Sequence, residues 1–108
     1  MLATLTSSPS IGTRCIQRCD PSRVILIDDT LIQFTPTEYR LLAPLLQGGP
    51  VADSDLAQEA YSCQEVSLVR ENLDKHFDKI RYKLRAAGLN VHRVAKYGYI
   101  LLDSGDQP

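Results

Sequence analysis

Residues 68 to 87 constrain the fold most, because they predict one long amphipathic helix. At about 100° per residue, five apolar side chains fall within about 40° of one line, and these are Val69, Leu73, Phe77, Ile80 and Leu84. The far side is polar and carries Glu71, Lys75, Asp78, Lys79 and Tyr82, with Asn72, Arg81 and Lys83 at its flanks. We therefore expect a helix with one face in the core and a cation-bearing face in solvent.

A β-hairpin is predicted directly after this helix. Gly88 is a typical helix stop, residues 91 to 95 are β-like, and residues 99 to 102 form a matching return strand. Lys96-Tyr97-Gly98 supplies the turn between the two strands. The C-terminal third of the chain is therefore expected to be one helix and one hairpin.

The charge of the chain is strongly uneven. Residues 70 to 96 contain eight of the twelve Lys and Arg residues and three of the thirteen acidic residues, so this segment carries +5 and the remainder −6. The net charge of −1 hides this polarity. Charge asymmetry within one small domain is typical of a nucleic-acid-binding surface. A solvated basic helix face without any ligand is the alternative.

An antiparallel three-stranded meander is predicted upstream. Residues 14 to 34 alternate apolar and polar side chains in three runs, 15–19, 24–27 and 31–34, which turn residues separate at 20–22 and 28–30. Residues 1 to 13 and 103 to 108 are interpreted as flexible tails. The folded domain is therefore expected to span residues 14 to 102.

Two shorter helices are predicted between the meander and the long helix. Thr35, Pro36 and Glu38 form a capping box with proline in the first turn, and Pro44 should kink or shorten the last turn before residues 48–50 end the helix. A second helix starts near Asp53-Ser54, whose side chains are good caps, and runs to about residue 61, before a polar connection over residues 62–67. The inward side chains are Tyr39, Leu42, Leu45 and Leu46 in the first helix and Leu56, Ala57 and Ala60 in the second.

Composition indicates one soluble domain. The chain has 108 residues, of which 44% are hydrophobic and 23% charged, and a domain of this size buries about two-thirds of its unfolded surface without a metal or disulfide. Its apolar runs are too short to span a membrane and residues 1–12 do not resemble a signal peptide, so we expect a cytoplasmic protein. Cys15, Cys19 and Cys63 lack zinc-ligand spacing, and we expect buried or half-buried thiols.

No catalytic or metal-binding motif is present in the sequence. Asp74, His76 and Asp78 are close in sequence, but on a helix successive two-residue steps point about 200° apart, so these side chains cannot converge on one ion or substrate. His92 stands alone in a β segment, and no Ser, Cys or His falls in a nucleophile motif. We therefore expect no enzyme activity, no metal and no cofactor.

The predicted order is α+β: a meander, three helices and a C-terminal hairpin, which is a winged helix-turn-helix. The first helix reads Phe34-Thr35-Pro36-Thr37-Glu38-Tyr39-Arg40-Leu41-Leu42, the third contains Leu73-Asp74-Lys75-His76-Phe77 and Ile80-Arg81-Tyr82-Lys83-Leu84, and the hairpin ends in Tyr97-Gly98-Tyr99. Through these segments, residues 14 to 102 resemble the winged-helix effector domain of OmpR/PhoB-type bacterial response regulators.

The resemblance implies sequence-selective binding of double-stranded DNA by a bacterial transcription regulator, with the third helix in the major groove and the hairpin wing on the minor groove. By position it implies that Asn72, Lys75 and Lys79 contact base edges, for which amide and ammonium groups have suitable donors and acceptors. It implies that Lys96 touches the minor groove. The implied phosphate contacts, which set position rather than sequence, are Tyr61, His76, Arg81 and Tyr82.

The chain departs from the family pattern in three places. Glu71 and Asp78 stand on the reading face where the family often has Arg, so they either accept from the amino group of cytosine or neutralise neighbouring lysines. Ala95-Lys96 replaces the usual Arg-Gly step at the hairpin. Family members also carry an upstream receiver domain, which this sequence lacks, so we expect either an excised fragment or a stand-alone regulator.

Two other functions remain open. The domain could dock on RNA polymerase or another regulator through residues 62 to 67 and the acidic part of the chain, and the net charge of −1 favours this. The N-terminal sheet could instead serve as a structural or dimerisation module. Under the DNA-binding hypothesis, we expect a homodimer or a tandem pair on repeated half-sites.

Overall fold

The computed structural model describes residues 6–62 and 65–103, and it has the predicted α+β order. A four-stranded sheet comes first, and three helices with a second sheet follow it. In chain order they are β1 (Thr6–Ile11), β2 (Arg14–Cys19), β3 (Val24–Ile27), β4 (Thr30–Gln33), α1 (Pro36–Leu45), β5 (Val51–Ala52), α2 (Asp53–Tyr61), α3 (Val66–Arg85), β6 (Leu89–Val94) and β7 (Gly98–Asp103). No helix in the described ranges has the length and apolar character needed to cross a bilayer.

The N-terminal sheet is a four-stranded antiparallel meander in the order β1-β2-β3-β4. The prediction of a loose tail over residues 1–13 is wrong for residues 6–11, which pair with β2 from Thr6↔Arg18 to Ile11↔Arg14. The Ser- and Pro-rich composition resembles a loop, but proline is tolerated in edge strands and at bulges, and β1 is an edge strand whose register shifts between Ser8 and Ile11. Residues 1–5 and 104–108, also predicted as tails, lie outside the described residues.

The capping box of α1 is confirmed. Thr35 Oγ1 accepts from the Glu38 amide at 3.3 Å, and Glu38 Oε1 accepts from the Thr35 amide at 3.0 Å. The last turn is tightened, since the Leu46 amide donates to the Ala43 carbonyl at 3.1 Å. This shortening at Pro44 is the effect expected of a proline inside a helix.

The start of α2 differs from the prediction. Ala52 occupies the N-cap position and makes no side-chain cap hydrogen bond, while Asp53 lies inside the first turn. Residues 51–52 form β5, which pairs with β7 and makes the second sheet three-stranded in the order β5-β7-β6. A strand this short carries no alternating pattern, so its sequence does not reveal it.

The wing hairpin is longer than predicted. β6 and β7 pair from Leu89↔Asp103 to Val94↔Gly98, around a turn at residues 95–97. Gly98 is required by close approach, because a Cβ there would lie 1.7 Å from the Val51 carbonyl oxygen. The hairpin also reaches the first sheet, where Thr13 donates through its amide and hydroxyl to the buried Asp103 carboxylate at 3.0 and 2.7 Å.

The apolar stripe of α3 lies in the core as predicted. Leu73, Phe77, Ile80 and Leu84 are fully buried, and Val69 is partly buried at the edge of the core. Phe77 stacks on the ring of Tyr99 in β7, with centroids 4.0 Å apart and 20° between the planes. The helix begins at Val66 rather than near residue 68, so Ser67 belongs to α3 and not to the connection.

The expectation of buried thiols is met at one described cysteine. Cys19 is buried and Cys15 is exposed, and both are free thiols. Cys63 lies outside the described residues. Cys15 was expected to be at least half-buried, and this prediction is wrong, because burial on its face of β2 rises only towards Cys19 at the far end of the strand.

Candidate nucleic-acid interface

The outer face of α3 carries the three predicted base-reading residues. Asn72, Lys75 and Lys79 are all exposed, and Tyr82, one turn further on, is 76% exposed. Their spacing of three and four residues places them in one row along the helix, opposite the buried stripe. Neither Lys75 nor Lys79 forms an ion pair with any described residue, so both ammonium groups are available to a ligand.

The two carboxylates on this face behave differently. Asp78 pairs with Arg81 one turn along α3, with 2.8 Å between Oδ1 and the guanidinium nitrogen. Glu71 is exposed and has no ion-pair partner among residues 6–62 and 65–103. Asp78 therefore neutralises an arginine rather than the neighbouring lysines.

Half of the cations in the basic segment are held by carboxylates. Arg70 and Arg93 both pair with Asp53, Lys83 pairs with Glu38, and Arg81 pairs with Asp78. Within the described ranges, the cations of this segment without an ion-pair partner are Lys75, Lys79, Arg85 and Lys96. The charge count of the sequence therefore overstates the positive charge that a ligand would meet.

Tyr61, His76 and Asn72 form one small cluster at the side of this face. The Tyr61 hydroxyl lies 2.9 Å from Nδ1 of His76, and the same nitrogen lies 2.9 Å from the Asn72 carbonyl oxygen. Burial raises the pKa of Tyr61, so its hydroxyl stays protonated at neutral pH. The cluster fixes the imidazole beside the row formed by Asn72, Lys75 and Lys79.

Arg81 connects α3 to the wing. Its Nε donates to the Val91 carbonyl at 2.9 Å, and its guanidinium lies 5.9 Å from the centroid of the Tyr99 ring. With Asp78 on a third side, Arg81 positions the hairpin against the helix. This contact was not part of the sequence prediction, which assigned Arg81 to phosphate alone.

Lys96 lies at the tip of the wing. It is exposed, and its backbone has a φ of 61°, in the left-handed region that non-glycine residues seldom adopt. The next residue anchors the turn, since the Tyr97 carbonyl accepts from the Asp53 amide at 2.8 Å. The anchored turn therefore presents Lys96 to solvent.

A charged groove between α3 and the wing was missed by the sequence analysis. It has a volume of about 520 Å³, and it is lined by Arg70, Asp74, Asp78, Arg81, Arg93, Lys96 and Tyr99. Asp53 is only 7% exposed and accepts from Arg70 at 2.8 Å and from Arg93 at 2.6 Å. No local pattern marks this groove, because the residues that form it come from α2, α3, β6, the turn at 95–97 and β7.

The fold has clear relatives among solved structures. One is the DNA-binding domain of the response regulator AdeR, whose crystal structure is in complex with an intercistronic region. The two structures compare with a TM-score of 0.66 and 22% sequence identity, over 82% of this chain and 93% of that one. This chain has the fold of a response-regulator DNA-binding domain. A second is the C-terminal domain of the nisin resistance regulator NsrR, a lantibiotic response regulator, with a TM-score of 0.64 and 22% identity over 87% and 96% of the two chains.

The winged-helix resemblance predicted from the sequence is therefore confirmed at the level of fold. No protein-family model matches the chain, and no curated protein matches it. The identity of 22% is low, so the residue roles inside this response-regulator fold depend on the chain's own geometry.

Asp74, His76 and Asp78 of α3 each have a different partner in this fold. Asp74 accepts from the Tyr99 hydroxyl at 2.5 Å, while Asp78 and His76 face Arg81 and Tyr61. Burial and the hydrogen bond to Asp74 raise the pKa of Tyr99 to about 12. The described residues contain no group of three side chains suited to a metal ion.

Acid should destabilise the domain through Glu38. Glu38 is 2% exposed, and burial opposes ionisation of its carboxylate. Hydrogen bonds from Lys83 at 2.6 Å and from Thr35 outweigh burial and hold its pKa below the ordinary 4.5. A carboxylate whose pKa is lower in the folded state than in the unfolded state stabilises the folded protein at neutral pH. This stabilisation is lost as the pH falls through the folded-state pKa. Glu38→Gln should therefore lower the free energy of unfolding at pH 7 by about 1–3 kcal/mol and flatten its decline below about pH 5.

Urea titrations of the wild type and of Glu38→Gln between about pH 7 and pH 3 measure how the free energy of unfolding of each protein depends on pH. Glu59→Gln, at an exposed position of α2, is the matched control and should leave the pH dependence unchanged. Parallel pH profiles for wild type and Glu38→Gln would show that the Glu38–Lys83 pair does not cause the acid sensitivity.

Proposed function

We propose that this chain binds double-stranded DNA with sequence selectivity as a domain of a bacterial, cytoplasmic transcription regulator. The observation that carries the proposal is the exposed row Asn72, Lys75 and Lys79 on α3, beside a wing that presents Lys96. A helix of this diameter fits the major groove. In that placement, the wing reaches the neighbouring minor groove.

Asn72, Lys75 and Lys79, which we call the reading row, supply base contacts of two kinds. The Asn72 amide has the donor and acceptor needed to hold adenine through two hydrogen bonds, and the ammonium groups of Lys75 and Lys79 donate to the O6 and N7 acceptors of guanine. Each good pair discriminates against a wrong base by about 1–3 kcal/mol. The Glu71 carboxylate can accept from the amino group of cytosine.

Backbone contacts surround this row. Tyr82 is open to solvent, the Tyr61–His76 cluster lies at the side of the row, and Arg81 retains a guanidinium NH2 that no described residue engages. We assign these side chains to phosphates and Lys96 to the minor groove. Two copies on repeated half-sites, as a homodimer or in tandem, would give the selectivity a regulator needs.

Duplex binding should weaken steeply with salt. Each cation placed on a phosphate releases condensed counterions, so the logarithm of affinity falls linearly with the logarithm of salt, with a slope of about −0.9 per contact. A labelled duplex titrated between about 50 and 200 mM salt should therefore lose affinity by orders of magnitude. An affinity that stays constant over this range would contradict the proposal.

Substitutions should distinguish residues that read base edges from residues that bind every duplex alike. Asn72→Ala or Lys75→Ala should flatten the preference between a selected duplex and its single-base variants, whereas Lys96→Ala should weaken all duplexes alike and reduce the salt slope by about 1. Arg40→Ala removes a charge from an exposed position on α1 and serves as the control. Equal, sequence-blind losses from all three substitutions would overturn the assignment of reading residues.

Protein docking is the second candidate function, and an exposed leucine favours it. Leu68 is 74% exposed at the start of α3, next to the connection that joins α2 to α3. A partner such as RNA polymerase or another regulator would cover this side chain. If the domain fails to retain random-sequence duplex even at low salt, DNA binding is refuted and protein docking is favoured.

A further inference from the structure

Two arginines that the DNA-binding assignment leaves unused converge on one buried carboxylate. Arg70 of α3 and Arg93 of β6 both donate to Asp53, one to each carboxylate oxygen, at 2.8 and 2.6 Å. Burial opposes ionisation of Asp53, but the two guanidinium groups outweigh it and hold its pKa below the ordinary 3.8. Asp53 is therefore charged at neutral pH and fixes two cations from different elements side by side.

Both guanidinium groups keep unused donors. Arg70 engages Asp53 through one terminal nitrogen, and Arg93 uses one nitrogen for Asp53 and for the Gly98 carbonyl at 3.3 Å. A guanidinium carries five N–H donors, and the described residues accept from no other nitrogen of either group. Both side chains line the groove between α3 and the wing, at 38% and 34% exposure.

The Tyr99 ring at the floor of the groove holds Arg93 and Arg81 in place. The Tyr99 ring stacks on the buried Phe77, and its hydroxyl donates to Asp74. The Arg93 guanidinium lies 5.0 Å from the centroid of this ring and the Arg81 guanidinium 5.9 Å, both within cation–π range. Guanidinium groups fixed in this way lose little side-chain entropy when they bind an anion.

The position of the groove identifies the anion. If α3 enters the major groove and the wing reaches the adjacent minor groove, the DNA strand that separates these grooves passes between helix and wing. The groove wall contributes four cations and two carboxylates. Each carboxylate already accepts a hydrogen bond, Asp74 from Tyr99 and Asp78 from Arg81. A net positive lining with spare guanidinium donors matches a phosphodiester.

We propose that the α3–wing groove binds a backbone phosphodiester of duplex DNA through Arg70 and Arg93, and that Asp53 is the residue that positions both guanidinium groups. This inference rests on the proposed function. The contact is independent of sequence, and it adds Arg70 and Arg93 to the binding surface and gives Asp53 a role in DNA binding.

The first test compares charge removal inside and outside the groove. Arg93→Gln and Arg70→Gln should each weaken binding of every duplex and reduce the salt slope by about 1, whereas Arg40→Gln, with the same charge change on α1, should do so much less. Arg93→Lys should restore part of the slope because it restores the charge. Circular dichroism melts identify a temperature at which every variant is folded, and binding is measured there.

The second test uses neutral methylphosphonate at single positions of the duplex. For the wild type, replacing the phosphate between the two contacted grooves should reduce affinity several-fold. For Arg93→Gln the same replacement should cost less affinity than it costs the wild type, because one of the two partners of that phosphate is already gone. A full additional loss in the variant would show that Arg93 does not contact that phosphate.

Asp53→Asn tests whether Asp53 positions the two arginines, because this role and simple electrostatics predict opposite changes in duplex affinity. The substitution makes the protein more positive by one charge, which by electrostatics alone should tighten duplex binding. If Asp53 positions Arg70 and Arg93, binding should weaken instead, since an amide oxygen cannot hold two guanidinium groups as a carboxylate does. Tighter binding would overturn the positioning role and show that Asp53 competes with phosphate.

The outcomes separate this inference from the proposed function. If the wild type does not bind duplex at any salt concentration, DNA binding itself fails. If the wild type binds with a steep salt slope while Arg70→Gln and Arg93→Gln match Arg40→Gln, the groove contact fails and the reading row remains.

Discussion

The packing of the apolar stripe of α3 determines the rest of the structure. Leu73 and Phe77 are fully buried, and Phe77 stacks on Tyr99 of the wing at 4.0 Å. This one contact sets both the rotation of the helix and the place of the hairpin beside it. The rotation leaves Asn72, Lys75 and Lys79 in solvent, and the place of the hairpin creates the charged groove. The exposed row on α3 and the groove beside the hairpin therefore follow from core packing.

Several cations near this surface are paired with buried carboxylates that link different elements of the fold. Lys83 and Arg93 are held by the buried carboxylates of Glu38 and Asp53, each at 2.6 Å. A buried carboxylate is tolerated only when it is paired, and the pair joins elements that are far apart in sequence. The Glu38–Lys83 pair thus joins α1 to α3, and the Asp53–Arg93 pair joins α2 to the wing. Lys75, Lys79 and Lys96 keep their charge for a ligand.

Locally encoded features were predictable from the sequence, and features made by distant pairing were not. The stripe of α3 and the Thr35–Glu38 capping box depend on residues within one or a few turns, so spacing and capping chemistry revealed them. β1 becomes a strand only because β2 offers it an edge, and β5 only because β7 does. Asp53 was interpreted as a helix cap because its sequence position suits one. Its partners on α3 and β6 became visible only when the fold brought them together.

Selection of bound sequences from a random duplex pool tests the central claim most directly, since it asks whether the exposed face of α3 reads bases. If Asn72, Lys75 and Lys79 enter the major groove, successive rounds should enrich a short motif, and repeats of that motif should be spaced by about one helical turn, 10–10.5 base pairs, when two copies bind. A bound pool without any enriched motif would contradict base reading by α3.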